Sequence, residues 1–395
     1  MKPYNIERYR EAARRALPRA IFDFVDGGAE DEVTLRANHE AFNRYRLRHR
    51  VHESADPVDL ATTLCGQPMS MPVMLSPVGN VGMVHPAGDL GVARTAAKLD
   101  LVMLMSGSAS YSIEEVGRGV DPRTWYQLYP WGGRDYYGEI MDRAAAAGFR
   151  GLVVTVDTAM GGNRERDIAN GFTVPLRLTR RNGWDLLSKP AWTLAVLRHR
   201  RVVVRVFRED DSRPPLRSLI GEAARTATQV TNRVVRLTWD DLAWIRSRWK
   251  RPFGIKGIVD PRDAGRAAEL GADVIYVSNH GGRQLDGAPA ALEALPAIVD
   301  AAGGRAEIVL DGGVRRGTDV VKAVCLGARA VSIGRPWAYA LAAAGPPGVE
   351  HMLESLRSEI TRSLTLLGQP NVHRLDASYL VEVADPQARS FSAPK

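Results

Sequence analysis

Residues 273–287 have the sequence DVIYVSNHGGRQLDG. The apolar run at 273–277 predicts a buried strand of a parallel sheet. Directly after it come a histidine, two adjacent glycines, an arginine and an aspartate. A strand that ends in His280 and Arg283 is suited to hold a base and a cation beside a ligand, so we predict a functional site at its carboxyl end.

Apolar runs of the same kind recur along the chain and alternate with helix-patterned stretches. This alternation is typical of an α/β fold whose parallel sheet is covered on both faces, and eight such units favour a closed (β/α)8 TIM barrel over an open sheet. The predicted strands are 73–76, 101–106, 124–128, 151–156, 254–257, 274–277, 307–310 and 330–333, and the predicted helices between them are 90–99, 113–117, 136–147, 261–270, 290–301 and 318–326.

Two segments depart from this alternation. Residues 1–50 contain helical patterns before any strand, the first of them capped by Asn5, and we expect this segment to form an N-terminal helical cap on the barrel. The connection between strands four and five has about a hundred residues, far more than an ordinary βα connection. We predict a single domain over 1–395, with a long basic βα loop at 165–238 inserted after strand 4.

The net charge of +8 comes almost entirely from one part of that loop. Residues 177–217 hold 11 Lys and Arg residues against 4 Asp and Glu residues, a balance of +7. Tryptophans and leucines lie among these cations, which suits a segment that rests on a membrane surface. Packing on the barrel or on a neighbouring subunit is the alternative. No nucleic-acid recognition motif accompanies the charge, so we expect no nucleic-acid partner.

Cysteine content and the N-terminus indicate the cellular setting. Cys65 and Cys325 are too few and too far apart for a disulfide framework or a zinc site, and both lie among apolar neighbours. The N-terminus lacks the apolar core of a signal peptide, and no run reaches the roughly 20 apolar residues of a membrane span. We expect buried free thiols, no metal centre and a cytoplasmic protein, with peripheral contact at the inner face of the membrane as an open alternative.

Polar or glycine residues follow every predicted strand, and in such a barrel the functional groups lie at the carboxyl ends of the strands. Gly312, Gly313, Gly334 and Arg335 follow strands seven and eight, where barrels commonly bind phosphate. Glycines let backbone N–H groups approach an anion, and arginine supplies a charged fork. Tight turns with a solvated arginine are the alternative.

Neutral polar side chains end strands two to four. Ser106, Gln127 and Thr155 are donors and acceptors of the kind that bind the edges of a heteroaromatic ring. Lys256, at the end of strand five, is suited to hold the negative charge that a flavin acquires on reduction. These residues favour a flavin at the mouth of the barrel.

Seven blocks of the chain occur in the order found in one known family. They are FDFVDGGAEDEVTLRAN, WYQLY, TVDT with RERD, IKGI, VSNHGGRQLDG, LDGGVRRGTDVVKA and IGRP, and they run from about residue 17 to about residue 335. On these blocks the chain resembles the FMN-dependent α-hydroxy acid oxidase/dehydrogenase family, which includes glycolate oxidase, L-lactate dehydrogenase and mandelate dehydrogenase. The HGGRQLD block is the most specific of them.

The resemblance implies an FMN site at the barrel mouth. Lys256 would contact the N1/O2 edge of the ring, while 311–315 and 334–335 would hold the ribityl chain and the phosphate. The residues implied to bind FMN are Pro77, Val78, Gly79, Ser106, Gln127, Thr155, Lys256, Ser278, Asp311, Gly312, Gly313, Arg315, Gly334 and Arg335.

The resemblance also implies the oxidation of an (S)-2-hydroxy acid to the 2-oxo acid. His280 would be the active-site base, and Asp157 would stabilise its imidazolium. Arg164 and Arg283 would bind the substrate carboxylate, and Tyr129 would hydrogen-bond the substrate hydroxyl. Such an oxidation needs a base that works near neutral pH, whether it proceeds by hydride transfer or through a carbanion.

Three positions depart from the family pattern. Phe24 stands where members generally carry a tyrosine whose hydroxyl helps to bind the carboxylate. Ser108 stands where short-chain oxidases have a tryptophan, which implies a wider pocket and a bulky or aromatic, mandelate-like substrate. Gly79 stands where oxidases often have alanine. Glycine at this position favours an electron acceptor other than oxygen.

Other functions and partners stay open at this point. Phe24 is compatible with a flavin-dependent biosynthetic oxidase that acts on a larger alcohol or amine. An FMN-dependent isomerase is disfavoured by Arg164 and Arg283 around His280, and a non-catalytic flavin-binding module is disfavoured by the base and its Asp157 partner. We expect O2, a quinone or another carrier as electron acceptor, and a homo-oligomer, either a tetramer or an octamer.

Overall fold

Eight parallel strands close into a barrel, which confirms the predicted TIM-barrel fold. The computed structural model describes residues 2–52, 56–119, 123–171, 184–185, 188–199 and 236–383. Strand β8 pairs with β1 and so closes the ring. The barrel strands are β1 (Val73–Leu75), β2 (Met103–Met105), β3 (Thr124–Leu128), β4 (Leu152–Thr155), β5 (Phe253–Ile258), β6 (Val274–Ser278), β7 (Glu307–Asp311) and β8 (Ala330–Ile333).

The interior of the barrel has an apolar layer near the amino ends of the strands and a polar layer near their carboxyl ends. Residues two apart on a strand point to the same side, so Trp125 and Gln127 both face inward, as do Tyr276 and Ser278. An antiparallel hairpin of Thr62–Leu64 and Gln67–Met69 contributes Leu64 and Met69 to the apolar layer. The barrel residues of this buried cluster are Met74, Val102, Leu104, Trp125, Val153, Val274, Tyr276, Val309 and Ala330.

Helices cover the outside of the barrel. Most connect successive strands, whereas three precede the first strand and a long helical segment, kinked at Ala344 and Gly345, follows the last. The described helices are α1 (Ile6–Ala16), α2 (Arg19–Asp26), α3 (Val33–Glu40), α4 (Gly88–Lys98), α5 (Ile113–Gly119), α6 (Gly133–Ala146), α7 (Glu165–Ala169), α8 (Pro190–His199), α9 (Trp239–Arg248), α10 (Pro261–Glu269), α11 (Ala291–Ala302), α12 (Gly317–Cys325) and α13 (Arg335–Leu367).

The N-terminal helices begin as the sequence indicated. The Asn5 side chain accepts a hydrogen bond from the Arg8 amide at 2.9 Å and caps α1, which packs against α13. Residues 31–45 do not form one helix: α3 ends at Glu40, a 3-10 turn follows at Ala41–Arg44, and the chain is then extended. The extended segment Tyr45–Leu47 pairs with Leu380–Glu382, and this pairing draws the chain out of the helix.

Ion pairs fix α2 in the position from which it reaches the barrel mouth. Arg166 on α7 contacts both Asp23 and Asp26, and Arg10 on α1 contacts Asp26. The Tyr339 hydroxyl donates a hydrogen bond to Asp26 at 2.7 Å. Since these groups hold α2 on both flanks, the side chains of Phe24 and Val25 are held in a fixed position.

The long connection between β4 and β5 contains α7, α8 and α9. Residues 172–183, 186–187 and 200–235 lie outside the described part of the chain, and with them most of the predicted basic segment at 177–217. In the part of the chain that the structure describes, every helix is too short or too polar to cross a bilayer.

The two cysteines differ in burial. Cys325 is buried in α12, as expected, whereas Cys65 is only half-buried. The expectation that both are buried is therefore wrong for Cys65, because this residue lies at the exposed turn of the hairpin. Both cysteines carry free thiols.

Candidate active site

A cavity opens at the carboxyl ends of the barrel strands, and all eight strands or the segments after them contribute to its wall. Val25 and Phe24 of α2 reach it from the N-terminal cap. The predicted site residues that line it are Phe24, Pro77, Val78, Gly79, Ser108, Gln127, Tyr129, Arg164, Lys256, His280, Arg283, Asp311, Gly312, Gly313, Arg315, Gly334 and Arg335.

Four predicted site residues lie one layer behind the wall. Asp157 contacts His280 from behind, and Thr155 accepts a hydrogen bond from the Gln127 side chain at 2.7 Å. Ser106 accepts one from the Ser108 amide at 3.1 Å. The fourth, Ser278, accepts one from Lys256. These four therefore orient the residues that face the cavity.

A buried cation lies at the base of the cavity. The Lys256 Nζ atom is 2.8 Å from Oδ2 of Asp311 and donates to the Ser278 hydroxyl at 3.0 Å. The barrel register brings them together, because Ser278 and Asp311 are paired residues of neighbouring strands. Burial acts to lower the pKa of Lys256, but the carboxylates of Asp311 and Asp157 outweigh it, so this pKa lies above its ordinary value. Lys256 is therefore a cation at neutral pH.

Glycines at the end of β7 bring the backbone close to the cavity. Gly313 has φ of 79°, and a Cβ atom there would lie 1.9 Å from the carbonyl oxygen of Asn38. Gly312 has φ of 140°, which other residues rarely adopt. The sequence around this turn thus requires glycine, and it exposes main-chain groups beside Arg315.

His39, which the sequence analysis did not single out, supports the same end of the cavity. Its Nδ1 atom is 3.1 Å from the carbonyl oxygen of Gly313, and its Nε2 atom is 3.5 Å from Nη2 of Arg315. Burial, with Arg315 and Arg335 nearby, lowers the pKa of His39 to about 3. The imidazole is neutral, so Nδ1–H donates to the carbonyl and Nε2 accepts from the guanidinium.

Arg335 has structural contacts besides the predicted phosphate role. Its guanidinium donates to the carbonyl oxygens of Val25 at 3.1 Å, Gly281 at 2.9 Å and Gly27 at 2.8 Å. These bonds tie the end of α2 to the turn after β6. Arg335 still faces the cavity, so a role in anion binding stays a prediction.

His280 lines the cavity and forms a partly buried pair with Asp157 behind it. The His280 Nδ1 atom is 3.0 Å from a carboxylate oxygen of Asp157. His280 has φ of 58°, followed by Gly281 at 65° and Gly282 at 71°, so the chain turns sharply where β6 ends. Burial lowers the pKa of His280, and Asp157 opposes this effect. The imidazole is therefore neutral near pH 7 and has its Nδ1–H directed at Asp157.

Two arginines make the region beside His280 cationic. Arg164 lines the cavity, and its buried Nε atom has no hydrogen-bond partner among the described residues. Arg283 donates to the Gly27 carbonyl at 2.8 Å and lies over the Phe24 ring. Burial, with Arg164 and Arg335 close by, acts to lower the pKa of Arg283. An anion placed between Arg164 and Arg283 would relieve this repulsion.

The remaining wall is aromatic or small. Tyr129 stacks on Trp131 with ring centroids 4.8 Å apart, and its ring lies 6.5 Å from that of His280. Gly79 faces Ser108 so closely that a Cβ atom on Gly79 would lie 2.9 Å from the Cβ atom of Ser108. Gly79 and Ser108 are thus small residues in close contact with each other, and both line the cavity.

One further residue of the site, Ser332, could have been found in the sequence from the two-residue period of a strand. Ser332 lines the cavity, and its buried hydroxyl has no hydrogen-bond partner among the described residues. It follows Ala330 of the apolar layer by two positions, so the strand period points to it. His39 and Asp167 carried no comparable local signal. Asp167 is buried on α7, and this burial raises its pKa in spite of Arg283 and Arg164.

The residues of the cavity fit FMN. A glycine turn with Arg315 suits a phosphate, and the buried Lys256 and the Gln127 amide suit the polar edge of the ring. The unpartnered hydroxyl of Ser332 is a further group that a polar ligand would satisfy. Arg164 and Arg283, beside His280, are further cations of the wall that could hold an anionic substrate next to the cofactor.

Comparisons with known proteins agree with this geometry. Residues 13–382 match the family of FMN-dependent dehydrogenases. An L-lactate dehydrogenase of Pseudomonas syringae pv. syringae (strain B728a) is 42% identical over 376 residues, which cover 95% of this chain and 97% of the relative. A peroxisomal (S)-2-hydroxy-acid oxidase of Oryza sativa subsp. japonica is 38% identical over 383 residues, 97% of each chain.

A solved structure supports the same assignment. The crystal structure of the monotopic membrane protein (S)-mandelate dehydrogenase superposes with a TM-score of 0.89 at 33% identity, and covers 97% of this chain and 100% of that one. The chain therefore belongs to the FMN-dependent dehydrogenase family. It is an oxidoreductase whose cofactor is FMN, and the predicted membership in the α-hydroxy acid oxidase/dehydrogenase family is confirmed.

Proposed function

We propose that this enzyme oxidises an (S)-2-hydroxy acid to the 2-oxo acid, with His280 as the active-site base. The observation that carries the proposal is the neutral imidazole of His280, held 3.0 Å from Asp157 in a cavity that also contains Arg164 and Arg283. A base beside two cations is what a substrate with a carboxylate next to a hydroxyl requires.

Each residue has a definite task in this proposal. Arg164 and Arg283 bind the carboxylate, and Tyr129 donates a hydrogen bond to the oxygen of the substrate hydroxyl. His280 takes a proton at Nε2, since Nδ1 is directed at Asp157, and the Asp157 carboxylate stabilises the resulting imidazolium. FMN, when bound, accepts the two electrons that leave the substrate. Both hydride transfer and a carbanion route need the same base.

We assign the substrate to the bulky or aromatic members of the class. Ser108 and Gly79 contribute only small groups to the cavity wall, and Phe24 adds an aromatic face without a hydroxyl. A phenyl side chain is favoured by such a wall, because it buries apolar surface there. A larger alcohol or amine in a biosynthetic oxidation is the second candidate, and Phe24 is the residue that favours it.

The same reasoning assigns the cofactor contacts. Pro77, Val78 and Gly79 would face the ring, and Gln127 and Lys256 would bind its polar edge. Residues 311–315 and 334–335 would hold the ribityl chain and the phosphate, with Ser106, Thr155 and Ser278 in support from behind. The whole chain would act as one FMN-binding barrel domain, with the residues near 165–238 as an insertion.

Anaerobic mixing of the FMN-loaded protein with 2-hydroxy acids tests this function. The panel contains both enantiomers of acids with hydrogen, methyl, alkyl and phenyl side chains. We expect the flavin absorbance to bleach only with (S)-acids and fastest with a phenyl side chain. Absence of bleaching by every acid, with bleaching by a larger alcohol or amine, would favour the second candidate. Subsequent exposure to air separates O2 from a quinone or other carrier as acceptor.

We further propose that the protein is a cytoplasmic homo-oligomer with peripheral membrane contact through 177–217. Trp184 and Leu194 are exposed around α8, whereas Trp192 packs inward and donates to the Met83 carbonyl at 2.7 Å. An exposed apolar face beside basic residues suits an anionic lipid surface. Sedimentation with anionic vesicles should carry the intact protein down, and a variant without 177–217 should stay in solution.

A further inference from the structure

Gln284 belongs to the HGGRQLDG stretch, yet the proposed function assigns it no task. Its side-chain amide is fully engaged with the segment after β4. The Nε2 atom donates to the carbonyl oxygens of Asp157 and Met160, both at 2.9 Å, and the Oε1 atom accepts from the Gly162 amide at 3.1 Å. One side chain of the β6 turn thus holds three main-chain groups of the β4 connection.

The two segments also touch without any side chain between them. A Cβ atom on Gly162 would lie 2.2 Å from the carbonyl oxygen of Arg283 and 2.8 Å from the Cα atom of Gln284. Glycine is therefore the residue that this approach permits. The close contact and the three hydrogen bonds are independent signs that the β4 connection is held against the β6 turn.

The segments that Gln284 joins carry opposite halves of the active site. His280 and Arg283 lie on the β6 turn, and Asp157 and Arg164 lie on the β4 connection. The Gln284 amide binds the carbonyl of Asp157 itself and spans the chain up to Gly162, two residues before Arg164. Movement of this segment would change both the His280–Asp157 distance and the separation of the two arginines.

We propose that Gln284 is a positioning residue, which holds Asp157 against His280 and Arg164 opposite Arg283. The inference rests on the proposed function, in which His280 is the base and Asp157 its partner. Gln284 has no direct part in the reaction, because both polar atoms of its side-chain amide are hydrogen-bonded to main-chain groups. Its effect is therefore exerted through the basicity of His280 and through carboxylate binding.

The His280–Asp157 pair determines the direction in which loss of Gln284 shifts the pH dependence of activity. Asp157 acts to raise the pKa of His280 against the effect of burial. If Asp157 moves away, this pKa falls, and the acid limb of the kcat/KM profile, which reports loss of the neutral base, moves to lower pH. The turnover number falls because the imidazolium is less stabilised, and KM rises because the arginines separate.

Substitution of Gln284 by methionine tests the inference, since methionine has a similar length and cannot make the three bonds. We expect the acid limb to move to lower pH, in the direction that Asp157→Asn produces, with kcat lower by roughly 10- to 100-fold and a raised KM. Gln284→Asn, which keeps an amide on a shorter side chain, should give a smaller change of the same sign. Asn163→Ala is the matched control, because Asn163 is exposed in the same segment and its side chain donates a hydrogen bond to the exposed Glu165.

The possible outcomes separate the inference from the proposed function. If Asp157→Asn moves the acid limb and neither Gln284 variant does, the positioning role is wrong, even if both variants lower the melting temperature. If Asp157→Asn does not move the acid limb of the kcat/KM profile, the pairing of His280 with Asp157 in the proposed function is wrong. The positioning role of Gln284 is then wrong as well. If Gln284→Met does not bind FMN, Gln284→Asn alone decides between these outcomes.

Discussion

The guanidinium of Arg283 lies over the ring of Phe24, with the Arg283 Cζ atom 5.2 Å from the ring centroid. This contact stabilises a partly buried cation at a site where a second arginine, Arg164, is also near. Phe24 therefore shapes the carboxylate site by packing on one of its cations. It does so without offering a hydrogen bond of its own to the substrate.

Replacing Phe24 by tyrosine should strengthen the binding of simple 2-hydroxy acids. The added hydroxyl would lie in the cavity and can donate to the carboxylate. A hydrogen bond to a charged group contributes about 1.5–3 kcal/mol, or roughly 10- to 100-fold in KM. Steady-state kinetics with lactate and mandelate measure the change. Phe24→Leu is the control, and a KM that does not fall in the tyrosine variant would argue against a carboxylate at this position.

Replacing Ser108 by tryptophan should shift the preference towards small acids. Ser108 lines the cavity, so the much larger indole would occupy part of the space available to the substrate. We expect kcat/KM for a phenyl-substituted acid to fall by roughly 10- to 100-fold relative to that for lactate. Ser108→Ala, which removes the hydroxyl and keeps the space, should leave the ratio nearly unchanged. An unchanged ratio in the tryptophan variant would show that Ser108 does not set the size of the substrate.

Replacing Asp157 by asparagine should lower activity and shift its pH dependence. The neutral imidazole of His280 is the active form, so activity is lost as the pH falls through the pKa of this residue. Asp157 raises that pKa, and its loss moves the acid limb of kcat/KM to lower pH. We expect kcat to fall by roughly 100-fold or more, because the imidazolium loses its counter-charge. A limb that moves to higher pH would be incompatible with the assigned roles.

Replacing His39 by leucine should weaken FMN more than riboflavin. The neutral His39 links Gly313 to Arg315, and leucine can accept nothing from the guanidinium. We expect the apoprotein to bind FMN roughly 10-fold more weakly, with its affinity for riboflavin, which lacks the phosphate, unchanged. Quenching of flavin fluorescence measures both constants, and Glu40→Ala on the exposed face of α3 is the control. Equal losses for both ligands would place the effect away from the phosphate.

The barrel and the polar layer were predictable because they follow from local rules. Each strand is a short apolar run, and its inward residues recur with a period of two, so Lys256 and Asp311 could be assigned to the mouth from their place at the strand ends. The HGGRQLDG stretch pointed to His280 and Arg283 for the same reason. The contact of His280 with Asp157 was implied by the family resemblance, and the structure gives its distance.

Contacts between segments far apart in the chain were not predictable in this way. Arg335 reaches the carbonyl of Gly27, and His39 reaches Arg315, through tertiary packing that no local pattern encodes. Gln284 looked like part of a motif, but its partners at Asp157 and Met160 appear only when two loops meet. Such contacts depend on how the N-terminal cap and the loops pack against the barrel.

The role of His280 as the base can be tested by measuring flavin reduction in a variant that lacks the imidazole. The His280→Gln variant, loaded with FMN, is mixed anaerobically with the (S)-2-hydroxy acid that bleaches the wild-type flavin fastest. We predict that FMN stays bound and that the rate of bleaching falls by roughly 100-fold or more, because glutamine cannot take the proton. Bleaching at the wild-type rate would contradict the assignment of His280 as the base.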